Sequence, residues 1–189
     1  TMKKIYIVTT FTGTLLSCLI RNISKTPYAH VSIALNEYLR PMYSFGRLNP
    51  KTPIFAGFVE ENINEGLYAI RTNTMCRVYS LMVTERQYEK LKENIDNVSI
   101  NRKQYVYDVK ALVYLSVNKP RKKDYKYVCS HFVADMLKRS EINILDKEPH
   151  QVRPNDFYDL CDLELEYEGL LSNYYEKDKV HNIGDVVKI

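Results

Sequence analysis

The most informative segment of the sequence is residues 127–137, which read Tyr127-Val128-Cys129-Ser130-His131-Phe132-Val133-Ala134-Asp135-Met136-Leu137. At helical spacing, one face of this segment carries Cys129, Phe132, Val133, Met136 and Leu137. The pattern predicts a helix, ending near Ser140, that packs this face on the core and holds a thiol in its first turn. The positive end of the helix dipole favours thiolate over thiol there. A lone helical cysteine is also a common core residue, so a catalytic Cys129 requires a base elsewhere in the chain.

The chain has four histidines, and their sequence contexts show which of them is a candidate base for Cys129. His181 lies in a polar tail and His150 in a proline-flanked loop, so both are expected at the surface. His131 would point about 200° around the helix from the thiol. His30 lies in an alternating segment, residues 28–35, that predicts a strand, and its neighbours on the same face are small. That face leaves room for an imidazole to meet a helix packed above the sheet, although a half-exposed strand histidine fits the same spacing.

Cys129 and His30 together form a candidate thiolate–imidazole pair. A helix N-terminus and an imidazolium both stabilise the thiolate of a group whose ordinary pKa is about 8.5. The imidazole then protonates the departing amine or alcohol and later activates water. The pair therefore indicates a cysteine hydrolase of the amidase or peptidase kind, which forms an acyl-enzyme at Cys129.

Four short segments resemble one known group of proteins: His30-Val31-Ser32, Tyr43-Ser44-Phe45-Gly46-Arg47, Gly57-Phe58-Val59-Glu60-Glu61 and Cys129-Ser130-His131-Phe132-Val133. The group is the circularly permuted NlpC-type papain-like superfamily, which includes YiiX-like bacterial proteins and relatives of lecithin:retinol acyltransferase. In ordinary papain-like enzymes the cysteine helix precedes the histidine strand, whereas here His30 comes first, which is the permuted order. The resemblance covers roughly residues 5–170. It implies an antiparallel sheet packed against a Cys-bearing helix, with Cys129 as nucleophile and His30 as base.

The third catalytic position is where this chain departs from the group that it resembles. YiiX-like relatives tend to place a glutamate on the strand after the histidine strand, where it orients the imidazole. The best-matching position here holds Ser44, which can accept a hydrogen bond but brings no charge. Three alternatives follow. Ser44 orients the imidazole weakly, Glu60 or Glu61 takes that role instead, or the enzyme is impaired.

Three residues are candidates for substrate binding: Tyr28, Arg47 and Glu61. A backbone N–H of Cys129 is the natural oxyanion donor at a helix N-terminus, and Tyr28 is a candidate second donor or a plain packing residue. Arg47 would join the basic run at residues 119–126, which is either a solvated loop or a surface that attracts an anionic substrate or a lipid membrane.

Composition narrows the partners but not the substrate. The net charge of +4 is mild, and no nucleic-acid partner is expected. Peptide, amide and lipid-like substrates remain open, and sequence gives no oligomeric state. The alternatives to a hydrolase are a lipid- or thioester-acting acyltransferase and a non-catalytic binding protein that keeps the fold.

The other cysteines bear on location and on metal binding. The chain has four cysteines with no CxxC pair and no histidine at ligand spacing, so neither a metal nor a cofactor is expected. Cys18, Cys76 and Cys161 are expected to be structural, and such scattered thiols suit the cytoplasm. The sequence at residues 15–18, Leu-Leu-Ser-Cys, also resembles a bacterial lipoprotein cleavage box, so a lipoprotein is the alternative to a core helix at 14–23.

The remaining patterns predict one α+β domain over residues 2–189, with a polar tail from about 172. A chain of 189 residues with 45% hydrophobic composition can bury a core as one domain. Strands are expected at 5–11, 28–35, 42–45, 67–71 and 76–83, and helices at 14–23, after a Thr84–Gln87 capping box, at 105–115 and at 155–161. Residues 47–66, which contain two prolines and two glycines, predict a long loop with a short ordered piece near Phe58.

Overall fold

β-Branched and aromatic segments pair into a six-stranded antiparallel sheet that carries the helices of this α+β fold. A computed structural model describes residues 1–13, 27–49, 52–116, 119–158 and 160–174. The strands are β1 (Met2–Phe11), β2 (His30–Ala34), β3 (Met42–Asn49), β4 (Thr52–Glu61), β5 (Met75–Thr84), β6 (Val106–Tyr107), β7 (Lys126–Tyr127) and β8 (Glu164–Leu170). The helices are α1 (Gly66–Ile70), α2 (Glu85–Ile100), α3 (Val109–Ser116) and α4 (Cys129–Arg139). The large sheet has the order β4-β3-β2-β1-β5-β8, and β6 pairs with β7 in parallel.

Alternation along the central strand β1 divides the core between the two faces of the sheet. Ile5 and Ile7 are fully buried on the face that α2 and α4 cover. Tyr6 and Val8 are buried on the opposite face, in a second apolar cluster that includes Tyr68 of α1. The sheet is therefore covered on both sides at its centre.

Helix α4 confirms the helix that the apolar spacing predicts at residue 129. Phe132 is 0% exposed, and its ring centroid lies 5.3 Å from that of Phe45 and 5.7 Å from that of Phe58. These aromatic contacts dock α4 on β3 and β4. At the start of the helix, the Ser130 hydroxyl donates to the Val152 carbonyl over 2.6 Å. Cys129 is thereby held in the first turn, above the sheet.

The predicted capping box at the start of α2 is also confirmed. The Thr84 hydroxyl accepts from the Gln87 backbone N–H over 3.2 Å, and the Gln87 side chain accepts from the Thr84 backbone N–H over 3.0 Å. Leu91, Ile95 and Val98 form the buried stripe of this helix, with Tyr88 partly buried against the same core. Local capping and apolar spacing are sufficient to predict this element.

The prediction of a long loop at 47–66 is wrong, because residues 52–61 form the edge strand β4, which pairs with β3 along most of its length. Pro53 suggests a loop, but an edge strand tolerates a residue that has no N–H to donate. The predicted strand at 67–71 is wrong as well, since residues 66–70 form the short helix α1. Five residues are too few to distinguish helical from strand spacing.

The prediction of one helix over 105–115 is wrong in its first half. Residues 102–104 form a 3-10 turn, β6 follows, and α3 begins only at Val109. The Asp108 carboxylate accepts from the Ala111 N–H over 3.1 Å, which caps α3 and explains the late start. Val109, the first residue of α3, is 62% exposed.

Near the C-terminus, the expected helix at 155–161 is a 3-10 turn at Pro154–Phe157. The sequence does not predict strand β8. It is a half-exposed edge strand rich in glutamate, a residue that is uncommon in strands. The predicted core helix at 14–23 and the lipoprotein-like box at 15–18 lie outside the described residues. Among the described helices, none combines the length and apolar character needed to cross a bilayer.

Candidate active site

The end of β4 brings a carboxylate to the imidazole at the start of β2. The Nε2 atom of His30 lies 3.0 Å from Glu61 Oε1 and 3.2 Å from Glu61 Oε2. Their side chains are 20% and 17% exposed, so the pair is largely removed from water. Gly46 of β3 lies beside the pair, and a Cβ there would meet His30 Cε1 at 3.4 Å and Glu61 Oε1 at 3.6 Å, which are ordinary van der Waals contacts.

The thiol of Cys129 influences the same imidazole. Hydrogen bonding to Cys129 and the charge of its thiolate both help to raise the pKa of His30. Nε2 is the ring nitrogen that faces Glu61. Cys129 itself is only 4% exposed. A thiol, an imidazole and a carboxylate are the groups with which a carboxylate orients a base and the base serves a nucleophile.

The electrostatics of the pair favour an imidazolium beside a carboxylate. Burial opposes protonation of His30, but the Glu61 charge and the hydrogen bonds to Cys129 and Glu61 outweigh it and hold the pKa of His30 well above its ordinary value. Burial likewise opposes the charged form of Glu61, yet His30, Ser32 and Tyr68 keep the pKa of this carboxyl below its ordinary value. Each partner stabilises the charge of the other.

Two hydroxyl groups also contact the carboxylate. Ser32 Oγ, two residues along β2 from His30, donates to Glu61 Oε2 over 2.6 Å. The Tyr68 hydroxyl of α1 donates to the same oxygen over 3.4 Å. Thr10 of β1, which pairs with His30 across the sheet, has its hydroxyl 3.3 Å from that of Tyr68. Three elements, β1, β2 and α1, thus contribute to the surroundings of the carboxylate on β4.

The structure joins Glu61, and not Ser44, to the imidazole. Ser44 is fully buried on β3, and its hydroxyl donates to the Val31 carbonyl over 2.7 Å. Its only proton is thereby used by the backbone of β2. Glu60, the other expected orienter, is exposed and accepts from Ser99 over 3.1 Å. Of the three expected orienters, Glu61 is the one whose side chain contacts the imidazole of His30.

The predicted substrate-binding residues lie in different places. The Tyr28 hydroxyl donates to Glu168 over 3.1 Å, and the Tyr28 ring lies 5.6 Å from the Arg77 guanidinium, so Tyr28 belongs to a cluster between β5 and β8. Arg47 and Glu61 both line a cavity of about 380 Å³ beside β4. Their roles in substrate binding stay predictions.

Tyr107 is a further group near the thiol. Its strand β6 pairs Tyr107 with Tyr127, two residues before Cys129. Burial raises the pKa of Tyr107, the charge of Cys129 raises it further and that of Arg47 lowers it, so this hydroxyl stays protonated at neutral pH. The sequence carries little signal for it, because the residue lies in a segment that predicts a continuous helix.

The remaining cysteines and histidines are placed away from this arrangement. Cys76 is buried, and burial followed by the Glu168 charge raises its pKa to about 12, which fits a structural thiol. Cys161 is exposed, contrary to the apolar setting expected for it. The His131 ring packs against that of Tyr127 at a tilt of 44° with ring centroids 4.4 Å apart, and burial lowers the pKa of His131 to about 4. His150 is partly buried, and Cys18 and His181 lie outside the described residues.

Comparison with known proteins adds no assignment. No protein-family model matches the chain, and no curated protein matches it either. The function is therefore inferred from the geometry of Cys129, His30 and Glu61.

Proposed function

We propose that this protein is a cysteine-dependent hydrolase of amide or ester bonds with a permuted papain-like architecture. The observation that carries the proposal is that the imidazole of His30 contacts the Glu61 carboxylate and is influenced by the Cys129 thiol, which lies in the first turn of α4. The order of its members along the chain, His30 before Cys129, is the permuted order of the family that the sequence resembles. An antiparallel sheet packed against the cysteine helix supports the same architecture.

In the first half of the reaction, His30 holds the proton that Cys129 has given up. The thiolate sulphur attacks the substrate carbonyl carbon, a C–S bond forms, and the carbonyl oxygen takes the negative charge. First-turn N–H groups of α4 point toward that oxygen, and Val128 provides no side-chain cap that would compete for them. The C–N or C–O bond then breaks, and the imidazolium gives its proton to the leaving amine or alcohol.

In the second half, neutral His30 activates water. The imidazole takes a proton from water, hydroxide attacks the acyl carbon, the C–S bond breaks, and a carboxylic acid leaves. Glu61 holds the imidazole by Nε2 throughout and stabilises its charged form, which is the role of the carboxylate in an acid–base triad. No cofactor is needed for any of these steps.

The rival proposal, a non-catalytic binding protein, is weakened by Glu61. The alternative of a binding protein is favoured by the absence of a carboxylate from β3, the strand that follows the His30 strand. A carboxylate from β4 contacts His30 instead. An acyltransferase would use the same acyl-enzyme and differ only in the acceptor that resolves it, so hydrolysis is the simpler proposal.

An acyl-enzyme experiment tests the proposal. The purified protein is mixed with a p-nitrophenyl ester, nitrophenolate release is followed, and the acylated residue is identified by mass spectrometry after acid quenching. We expect steady turnover with the acyl group on Cys129, loss of turnover in Cys129→Ser, and unchanged turnover in Cys161→Ser, which removes an exposed thiol. Turnover that persists in Cys129→Ser would overturn the assignment of the nucleophile.

A further inference from the structure

Glu61 is a buried carboxylate that receives more hydrogen bonds than a triad carboxylate needs to orient an imidazole. His30 contacts it through Nε2, while Ser32 and Tyr68 both donate to Oε2, over 2.6 Å and 3.4 Å. Oε1 is then the oxygen with the shorter contact to His30, at 3.0 Å. Nε2 lies 3.2 Å from Oε2 as well, so the imidazole faces both oxygens and the two hydroxyls add donors to one of them.

The hydroxyl of Tyr68 is itself held in place from the other side. A carboxylate can only accept, so the Tyr68 proton is directed at Glu61, and Thr10 donates to the Tyr68 oxygen over 3.3 Å. Tyr68 is 6% exposed and Thr10 is 0% exposed, so water does not compete for these bonds. Burial, and then the Glu61 charge, hold the pKa of Tyr68 well above its ordinary value, which keeps it a donor at any physiological pH.

We propose that Ser32 and Tyr68, supported by Thr10, are positioning residues that keep Glu61 ionised and aimed at His30. A buried carboxylate next to a buried imidazole has two arrangements: an ion pair, or a neutral pair with the proton on the carboxyl. Burial alone favours the neutral pair, since a carboxylate loses its hydration in the protein. Two neutral donors on Oε2 replace part of that hydration and so favour the ion pair over the neutral pair. The catalytic meaning of this arrangement rests on the function proposed above.

The position of α1 is explained by this role. The chain turns at the end of β4, directly after Glu61, and α1 returns Tyr68 to the carboxylate only seven residues later. Tyr68 also packs in the apolar cluster on this face of the sheet. The helix thus brings a single hydroxyl to the back of the site while its ring completes the core.

The test measures the ionisation of Glu61 directly, by ¹³C NMR of the side-chain carboxyl carbon as a function of pH. The variants are Ser32→Ala and Tyr68→Phe, which each remove one donor. The matched control is Tyr174→Phe, which removes a hydroxyl from a buried tyrosine of the same apolar cluster that bonds the Glu37 carbonyl over 3.0 Å. Circular dichroism establishes that each variant is folded.

We expect the titration midpoint of Glu61 to move upward in Ser32→Ala by about one pH unit, since a hydrogen bond to a charged group contributes on the order of one such unit. A smaller upward shift is expected in Tyr68→Phe because its bond is longer, and none in Tyr174→Phe. Midpoints that agree with wild type in both Ser32→Ala and Tyr68→Phe would overturn the proposal. A shift in Ser32→Ala alone would remove Tyr68 from it.

The same variants separate this inference from the proposed function. The NMR titration needs neither substrate nor a reactive thiol, so it decides the role of the two hydroxyls even where Cys129 proves unreactive. If Cys129 of wild type is alkylated no faster than the exposed Cys161, the hydrolase proposal fails on its own. If Cys129 is reactive, we expect its alkylation at neutral pH to fall several-fold in Ser32→Ala and to stay unchanged in Tyr174→Phe.

Discussion

Glu61 is the residue on which the interpretation of the site depends. A cysteine near an imidazole is ordinary, but an imidazole held by a carboxylate at 3.0 Å, with a thiol that helps to raise the pKa of the same ring, is an arrangement suited to acid–base catalysis. The carboxylate raises the proton affinity of His30, and the imidazolium in turn stabilises a thiolate. Removing the charge of Glu61 alone should therefore weaken both effects.

Glu61→Gln keeps the size of the side chain and removes its charge. We expect the pKa of His30, measured by NMR of its ring protons, to fall by about 1–3 units, because an opposite charge at this distance contributes a shift of that size. Glu60→Gln is the matched control, since Glu60 is the adjacent residue and bonds Ser99 instead. An unchanged pKa of His30 in Glu61→Gln would contradict the pairing.

The same pair makes the free energy of unfolding depend on pH in two directions. The pKa of Glu61 is below its ordinary value of 4.5 in the folded protein, so its contribution is present above that value and is lost as the pH falls through the folded pKa. The pKa of His30 is above its ordinary value of 6.5, so its contribution is full below that value and is lost as the pH rises through the folded pKa.

Wild type and a His30→Gln, Glu61→Gln double variant are compared by urea denaturation at a series of pH values. We expect the difference in the free energy of unfolding to be largest between pH 4.5 and 6.5 and to shrink on either side. A difference that is the same at every pH would show that the two charges do not contribute to folding.

At the scale of single residues, the sequence predicts the nucleophile and base candidates better than the groups around them. Cys129 and His30 stand out because helical spacing and strand alternation place them on definite faces. Ser44 is favoured only by its place in the next strand, and its proton goes to a backbone carbonyl. Tyr68 carries no signal, since its contact with Glu61 follows from a turn and a short helix that have no period to detect.

At the scale of secondary-structure elements, the sequence is informative wherever local chemistry determines the element. The capping box fixes the start of α2, and apolar spacing fixes α4. By contrast, β4 is formed by pairing with β3, a tertiary contact that its prolines and glycines do not reveal. Glu61 is the last residue of β4. Because the sequence does not predict β4, it cannot place Glu61 beside His30, and on sequence alone this contact is only one of several alternatives.

The capping box provides a prediction for α2. Thr84→Ala removes the hydroxyl that accepts from the Gln87 N–H, and we expect a loss of about 1 kcal/mol in the free energy of unfolding measured by urea denaturation. Thr72→Ala is the control, because Thr72 lies exposed in a turn. Equal effects in the two variants would mean that the cap adds nothing to stability.

At the scale of the whole molecule, the site lies where two sides of the sheet meet. Cys129 lies on the face covered by α4, while Tyr68 reaches Glu61 from the face covered by α1. The position of Cys129 therefore depends on the docking of α4, which rests on its aromatic contacts with β3 and β4.

Phe132→Ala tests this docking. Truncating a fully buried phenylalanine should cost roughly 3–5 kcal/mol in the free energy of unfolding, measured by urea denaturation. Ile100→Ala, at a side chain that is 79% exposed near the end of α2, should change it by less than about 0.5 kcal/mol. A loss below about 1 kcal/mol in Phe132→Ala would contradict the packing described for α4.

The central claim is that His30 activates Cys129, and the pH profile of alkylation tests it most directly. Wild type and His30→Ala are treated with iodoacetamide, a reagent small enough for a thiol that is 4% exposed, and labelling of each cysteine is followed by mass spectrometry. The exposed Cys161 serves as the internal reference. At about pH 6, where an ordinary thiol is almost wholly protonated, we expect rapid labelling of Cys129 in wild type and its loss in His30→Ala. Labelling of Cys129 no faster than that of Cys161, or equally fast in the variant, would contradict the claim.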